Sequence, residues 1–311
     1  MQRHCSDILQ ESEMCSQARV NISQAEQQCV ICGLQLRLPR VIIKVGKVSL
    51  VTCPGCQSWI SLPRPIASEQ SAIHDTSEYF EHPYFEQRRN KQRTIEQHCH
   101  EIFGKIEVAL SCGLQGSTVL DIGCDTGAFL ACAAKQYGIV PFGIDVSSRA
   151  VQLARRTGLN IYQGTIDVIP TSQKFKIITV TDVVEHVPDP ALLLRQIHDH
   201  LDPGGVVYIQ TPNMKSTIYQ LGRLFSGFAV LQRTGVAERL FPPQHIQYFS
   251  RQGLVDLIKS RDFAVVNLET RILRPFELGV SKLMFLPLTI LQFIDMLLGR
   301  QILLCALLKK L

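Results

Sequence analysis

Over the second half of the chain, short apolar runs rich in β-branched residues alternate with stretches of helical periodicity. Strands are predicted at "TVLDIG", "VPFGIDV", "NIYQG", "FKIITVTDVV", "GVVYIQTP" and "AVVNLET", and helices at "AFLACAAKQY", "SRAVQLARRTG", "PALLLRQIHDHL" and "RQGLVDLIKSR". Such alternation predicts an α/β fold with a parallel sheet covered by helices on both faces. Ligands of such a sheet bind in the crevice at the carboxyl ends of its strands. Residues 86–110 carry a mixed polar and apolar pattern that predicts a further helix, ending near Gly113.

The pattern differs on both sides of this region. Residues 1–28 are polar and glutamine-rich, and predict a loosely ordered leader with no apolar core of a signal peptide. "RVIIKVGKVSLVTC" predicts two short strands around Gly46. At the other end, residues 283–311 are too apolar for a solvated tail, yet Pro287, Asp295 and Arg300 interrupt them. A membrane-spanning helix needs about twenty uninterrupted apolar residues. Two short helices are expected instead, either lying in a membrane interface and finished by Lys309 and Lys310 or packed as an extension or dimer contact. The organisation expected is a leader (1–28), a small cysteine module (29–66), a linker and helix (67–113), an α/β domain (114–272) with an insertion at 214–247, and an apolar helical C-terminal extension (273–311).

Composition narrows the function classes. With 46% apolar and 19% charged residues the chain can bury a core. A net charge of +5 over 311 residues is too dilute to argue for a nucleic-acid partner. Eleven cysteines without a secretory signal suit a reducing, cytoplasmic setting in which thiols stay free or bind metal.

Four of those cysteines fall in two matched pairs, "CVIC" and "CPGC". Each pair can form a knuckle, so that Cys29, Cys32, Cys53 and Cys56 converge on one ion in a zinc ribbon. Gly33 and Gly55 are expected to supply the unusual backbone angles. Incidental thiols or a redox dithiol are the alternatives, but two matched pairs favour a tetrahedral site. Four thiolates leave no open position, so such a zinc is structural.

The first strand-to-helix turn of the α/β region reads "VLDIGCDTGAFL". Gly123 and Gly127 let the backbone approach a ligand, but neither G-x-G-x-x-G nor a P-loop lysine is present. A carboxylate at Asp125 repels a pyrophosphate, so the turn suits a ligand that is not a polyphosphate. Asp145, ending the second strand, can accept hydrogen bonds from both hydroxyls of a ribose.

"LDIGCDTG", "GID", "QGTID", "TDVVEHVPDP" and "LDPGGVVYIQTPN", in this order, resemble the class I S-adenosylmethionine-dependent methyltransferases. The likeness is greatest to the branch that includes the ubiquinone-biosynthesis O-methyltransferases, and it spans about residues 90–270. It implies a Rossmann-like, seven-stranded, mostly parallel sheet. It also implies that Asp121, Gly123 and Gly127 line the methionine portion of the cofactor, that Asp145 binds the ribose, that Thr165 and Ile166 flank the adenine, and that Asp182 and Val183 lie under the sulfonium. The Asp125 carboxylate either attracts the cofactor's ammonium or sulfonium charge or points to solvent. Asp125 stands where the family commonly has glycine. The leader "CVICG … CPGCQSWISLPRP … YFEHPYF" resembles that of bacterial methyltransferases associated with polysaccharide and sugar-nucleotide pathways, with Gln57 where glycine is frequent.

Candidate chemistry gathers beyond the fourth strand, where "DVVEH" places Asp182, Glu185 and His186 within one turn and "PPQHIQYFS" contributes His245. Three readings stay open: Glu185 and His186 cap and orient the turn; a histidine acts as general base; or the group binds magnesium or manganese, as in the O-methyltransferase and small-RNA ribose methyltransferase relatives. His245 leads as the catalytic candidate, because its proline-led segment should fold over the substrate, while His198 and His200 should lie on a helix surface. The insertion is expected to cap the strand ends. The function expected is methyl transfer from S-adenosylmethionine to an oxygen, or less favourably a carbon, of a sugar-, glycan- or quinone-like small molecule, which could be lipid-linked. An NAD-dependent sugar-modifying enzyme and a non-catalytic cofactor-binding adaptor are the alternatives, and the pattern does not specify an oligomeric state.

Overall fold

The computed structural model describes residues 28–37, 39–45, 48–76, 91–225, 240–259, 261–273 and 285–311. The leader, Gly46, the "YFEHPYF" stretch, the first residues of the helix expected from 86, and much of the insertion and of the extension's start lie outside these.

The cysteine module holds three antiparallel strands, β1 (Val41–Val45), β2 (Val48–Thr52) and β3 (Trp59–Leu62). A short helix, α1 (Ala67–His74), leads to α2 (Gln92–Leu110). The α/β region then runs β4 (Thr118–Ile122), α3 (Ala128–Tyr137), β5 (Val140–Asp145), α4 (Ser148–Arg155), β6 (Asn160–Gln163), β7 (Phe175–Thr181), α5 (Pro190–His200) and β8 (Leu201–Pro212). It continues with α6 (Thr217–Phe225), β9 (Gln247–Tyr248), α7 (Arg251–Lys259), β10 (Phe263–Arg271), α8 (Phe285–Leu297) and β11 (Leu303–Lys310).

Seven strands form the main sheet in the order β10-β11-β8-β7-β4-β5-β6. Pairs from β6 to β8 are parallel, while β11 runs antiparallel to both β8 and β10. The order reverses between β4 and β7, which opens the crevice where ligands of such sheets bind. Both faces are buried, and side chains alternate between them as the pleat requires. Leu120, Val207 and Leu304 face α5 and α7, whereas Val119, Val206 and Leu303 face α2 and α3.

The C-terminal extension departs from the expectation of two helices. Its first half is α8, but "LLCALLKK" is a strand between β8 and β10, and so the α/β unit does not end at 272. A continuous apolar run suits a strand buried on both faces as well as a helix, and pairing on both sides decides for the strand. Asp295, read as an interruption, is buried in α8, where its carboxylate accepts from Thr217 N (2.9 Å) and Thr217 Oγ1 (2.6 Å) at the start of α6, with Arg300 Nε 3.3 Å away. No helix among the described residues is long and apolar enough to cross a membrane.

The cysteine module is joined to the α/β unit by β9, which pairs with β3 through Trp59↔Tyr248 and Ile60↔Gln247. Ser250 N donates to Ser58 Oγ (3.1 Å) and Ser250 Oγ to the Cys56 carbonyl (2.5 Å). At Gly253 a Cβ would lie 2.1 Å from Ser58 Oγ, so the module seats directly on the first turn of α7.

Candidate active site

The turn after β4 passes through three left-handed residues: Gly123 (φ 76°), Asp125 (φ 47°) and Gly127 (φ 75°). A Cβ at Gly123 would lie 2.4 Å from Val183 Cγ2, which explains its glycine. Gly127 serves packing, not ligand approach. It does not line the cleft, and a Cβ there would meet Leu159 Cδ1 at 2.6 Å and Ala154 Cβ at 3.4 Å.

A cleft of about 660 Å³ opens at the carboxyl ends of β4, β5 and β7, and Asp121, Gly123, Asp125, Asp145, Thr165, Ile166, Asp182 and Val183 all line it. Asp121 accepts from Thr179 Oγ1 on the neighbouring strand (2.6 Å). Asp145 accepts from Asp125 N and from Ser147 N, both at 2.9 Å. Burial pushes Asp121 up to about 7 and Asp145 up to about 6, with Asp125 adding repulsion to each. Asp182 sits at φ 56°, its N–H donating to the Gln210 carbonyl (2.9 Å) and its Oδ1 accepting from Gln210 Nε2 (3.3 Å). Thr165 Oγ1 donates to Asp167 Oδ1. Acidic strand ends beside apolar Ile122, Ile144 and Ile166 suit a nucleoside that carries positive charge. An adenosyl sulfonium fits this donor and acceptor set, and a pyrophosphate does not.

Glu185, His186 and His245 come together, each presenting a ligand atom, all within 4.8 Å of one another. Glu185 is fully buried and its Oε2 accepts from Thr211 Oγ1 (3.0 Å). His186 Nδ1 donates to the Gln244 carbonyl (2.8 Å), so Nε2 carries the lone pair. The His245 ring lies 4.7 Å from that of His186, with its Nδ1 buried and without a hydrogen-bond partner among the described residues. Burial, then its imidazole neighbours, holds His186 well below the ordinary value, and burial with His74 holds His245 at about 3. Of the three, only His186 reaches the cleft. His245, the leading candidate from sequence, stands behind it.

At the cysteine module the Sγ atoms of Cys29 and Cys56 are 3.8 Å apart, and those of Cys32 and Cys53 3.6 Å. A tetrahedron with zinc–sulfur bonds of about 2.3 Å has edges of about 3.8 Å, so the four sulfurs fit zinc. The left-handed residues after the two knuckles are Gly33 (φ 74°) and Gln57 (φ 62°), not Gly55. Gly55 is needed for space: a Cβ there would lie 2.9 Å from Leu34 Cδ2.

Several cleft residues carry no sequence signal. Gln70 and His74 come from α1, Thr94 and His98 from α2, and Arg271 from β10. Arg271 pairs with Glu101 (2.7 Å) and donates to His98 Nδ1 (3.2 Å). The described part of the insertion lines none of the main cleft; Tyr219 of α6 packs on Tyr248 instead (5.5 Å). His200, expected on the surface, is 5% exposed and bonds the Gln173 carbonyl (3.0 Å).

A fold of this order with this acidic crevice defines a Rossmann-like methyltransferase. A family described as "Methyltransferase domain" matches residues 86–268, and the chain belongs to that family. The ubiquinone biosynthesis O-methyltransferase of Pasteurella multocida is 38% identical over 118 residues, 32% of this chain and 48% of that protein. That of Haemophilus ducreyi is 32% identical over 121 residues, 35% of this chain and 51% of that protein. The chain thus spans about half the length of the curated relatives it matches. Among solved structures, the plantazolicin methyltransferase BpumL in complex with SAH superposes with a TM-score of 0.51 at 19% identity, covering 78% of this chain and 98% of that one. This last likeness shows the fold alone.

Proposed function

We propose that this protein transfers a methyl group from S-adenosylmethionine to a hydroxyl oxygen of a small hydroxylated acceptor, of sugar, glycan or quinol type. The observation that carries this reading is the convergence of three acidic strand ends, Asp121, Asp145 and Asp182, with His186 on one cleft. The relatives named for O-methylation support oxygen as the acceptor atom. S-adenosylmethionine supplies an electrophilic methyl on a sulfonium. Asp145 accepts from the ribose hydroxyls, Thr165 and Ile166 flank the adenine, and Asp121, Asp125 and Asp182 face the cationic end. Val183 and Ile122 exclude water, and His186 Nε2 takes the acceptor's proton.

In a second reading, which replaces proton transfer by His186 Nε2, Glu185, His186 and His245 hold a divalent cation that lowers the pKa of a bound hydroxyl, as their ligand atoms within 4.8 Å of one another would allow. Thr211 and Gln244 orient two of these ligands, as outer partners of metal sites do. Two imidazoles and one carboxylate suit manganese better than magnesium, which prefers an all-oxygen shell. The four cysteines are assigned a structural zinc.

Calorimetric titration with S-adenosylmethionine, S-adenosylhomocysteine and NAD tests the cofactor. Binding of both adenosyl ligands, none of NAD, and loss of at least about tenfold in Asp145→Ala are expected, since two charge-assisted hydrogen bonds are removed. Binding without turnover on catechol and glycoside acceptors would favour a non-catalytic adaptor.

A membrane-surface role is also proposed, from the outer face of α8. Leu286, Ile290, Phe293 and Leu297 recur at helical spacing and are all more than half exposed. Co-sedimentation with vesicles of anionic phospholipid should be lost in a Phe293→Glu, Leu297→Glu variant. Equal sedimentation of both proteins would remove this role.

A further inference from the structure

Helix α1 precedes the stretch matched by the methyltransferase family, yet it lies over the cleft. Its N-terminal end is capped locally and its C-terminal end is fastened to the α/β unit. Glu69 reaches back to Ile66 N (2.9 Å), and Asp75 Oδ1, just past the C-terminus, accepts from Ser148 N (2.8 Å) and Ser148 Oγ (2.9 Å) at the start of α4. The helix is therefore held at a fixed place above the strand ends. Its inner face presents Gln70 and His74, one turn apart, with His74 Nδ1 donating to the Gln70 carbonyl (2.7 Å). The His74 ring stands edge-on to His186, centroids 4.9 Å apart.

Gln70 is 4% exposed, and among the described residues neither Nε2 nor Oε1 of its side chain has a hydrogen-bond partner. A primary amide offers two donors and an acceptor, and burying such groups unpaired costs the desolvation penalty of each. A side chain selected for the fold alone would be leucine or methionine at this position. The unpaired amide is explained by a ligand that occupies the cleft.

Two ligands share that cleft, and the neighbours of Gln70 favour one of them. The cofactor's polar groups meet Asp121, Asp145, Asp182 and Thr165 at the ends of the strands. Gln70 lies instead on the same helix face as His74, whose ring abuts His186, the residue to which the proton transfer was assigned. We propose that Gln70 reads the acceptor: its amide pairs with a neutral group of the acceptor that both donates and accepts, such as a hydroxyl other than the one methylated or an amide. On this basis the linker helix, which lies outside the family domain, sets acceptor specificity. The inference rests on the methyltransferase reading above.

The test uses the full-length chain and Gln70→Leu, which keeps the side chain's bulk and removes its polarity. Without ligand the variant should melt higher by about 2 °C, because an unpaired buried amide has been removed. Its affinity for S-adenosylhomocysteine, by calorimetry, should match that of the unaltered chain. With S-adenosylmethionine and either 3,4-dihydroxybenzoate or methyl α-D-glucopyranoside, kcat/KM should fall about tenfold, through KM more than kcat. A lower melting temperature overturns the proposal, since the amide then serves the fold. Weaker S-adenosylhomocysteine binding also overturns it, by assigning Gln70 to the cofactor, as does an unchanged kcat/KM. If the unaltered chain methylates neither probe, the methyltransferase reading fails on those acceptors, and a higher melt with unchanged S-adenosylhomocysteine affinity still supports Gln70 as an acceptor contact.

Discussion

Asp125 is the residue at which this chain departs most clearly from a glycine turn. Its backbone is left-handed, a conformation that aspartate tolerates better than most residues. Its N–H fastens Asp145 while its charge opposes that of Asp121 and Asp145. Burial raises Asp121 to about 7 and Asp145 to about 6, above the ordinary carboxylate value near 4. The folded protein therefore holds protons that the unfolded chain has released, and stability without ligand falls as pH rises from about 4 to 7. A bound cation reverses the balance, because it favours the ionised carboxylates. Affinity for S-adenosylmethionine should rise about tenfold between pH 6 and 8, with proton release seen as a dependence of calorimetric heat on the buffer's ionisation enthalpy. Asp125→Gly should lower both carboxylate pKa values and flatten this profile. A flat profile in the unaltered protein would show that the carboxylates do not meet the cofactor's charge. The candidate cofactor residues were legible in sequence because each lies within a few positions of the carboxyl end of a strand. At the second knuckle the residue type misleads, since the fold turns the backbone of Gln57, and not that of Gly55, into the left-handed region.

Pairing of β3 with β9 ties the cysteine module to the histidine cluster at the level of elements. Ser61 N donates to the Ile246 carbonyl (2.9 Å), while Ile246 N (3.1 Å) and Gln247 N (3.3 Å) donate to the Glu185 carbonyl. His245 is thereby held between the module and the end of β7. Trp59, the chain's single tryptophan, is fully buried at this joint, with Tyr248 at 6.0 Å and Phe241 at 6.2 Å. Removal by a chelator of the zinc proposed for the four cysteines should expose Trp59 and shift its emission to longer wavelength. The same treatment should abolish methyl transfer while S-adenosylhomocysteine binding survives, since Asp121 and Asp145 stand on β4 and β5, away from this joint. Unaltered turnover after verified zinc loss would break this link. The cysteine spacing announced the module, but a two-residue strand such as β9 has too little periodicity to be read before its partner is known. Helix α1 escapes for a similar reason: its eight residues, "ASEQSAIH", carry almost no amphipathic pattern, and its position comes from the bonds of Asp75 to Ser148.

The whole molecule shares its core across the boundaries that composition suggested. Ile31, Leu36, Val51 and Ile60 of the cysteine module lie in one apolar cluster with Leu254, Leu257 and Ile258 of α7 and Leu304 and Leu308 of β11. One cooperative thermal transition is expected for the intact chain, and deletion of residues 303–311 should abolish it, because β8 and β10 lose their common neighbour. Two separate transitions in the intact chain would instead make the module an independent unit. Local pattern alone determined that an α/β sheet would form, that four cysteines would face one another and that acidic residues would end its strands. Those features depend on period, spacing and turn chemistry, which act over a few residues. Tertiary structure decided that "LLCALLKK" would be a strand, that His186 and not His245 would face the cleft, and that Gln70 and His74 would roof it. Each of these depends on partners far away in the chain, and a residue's own neighbourhood carries no record of which distant group will pair with it or bury it.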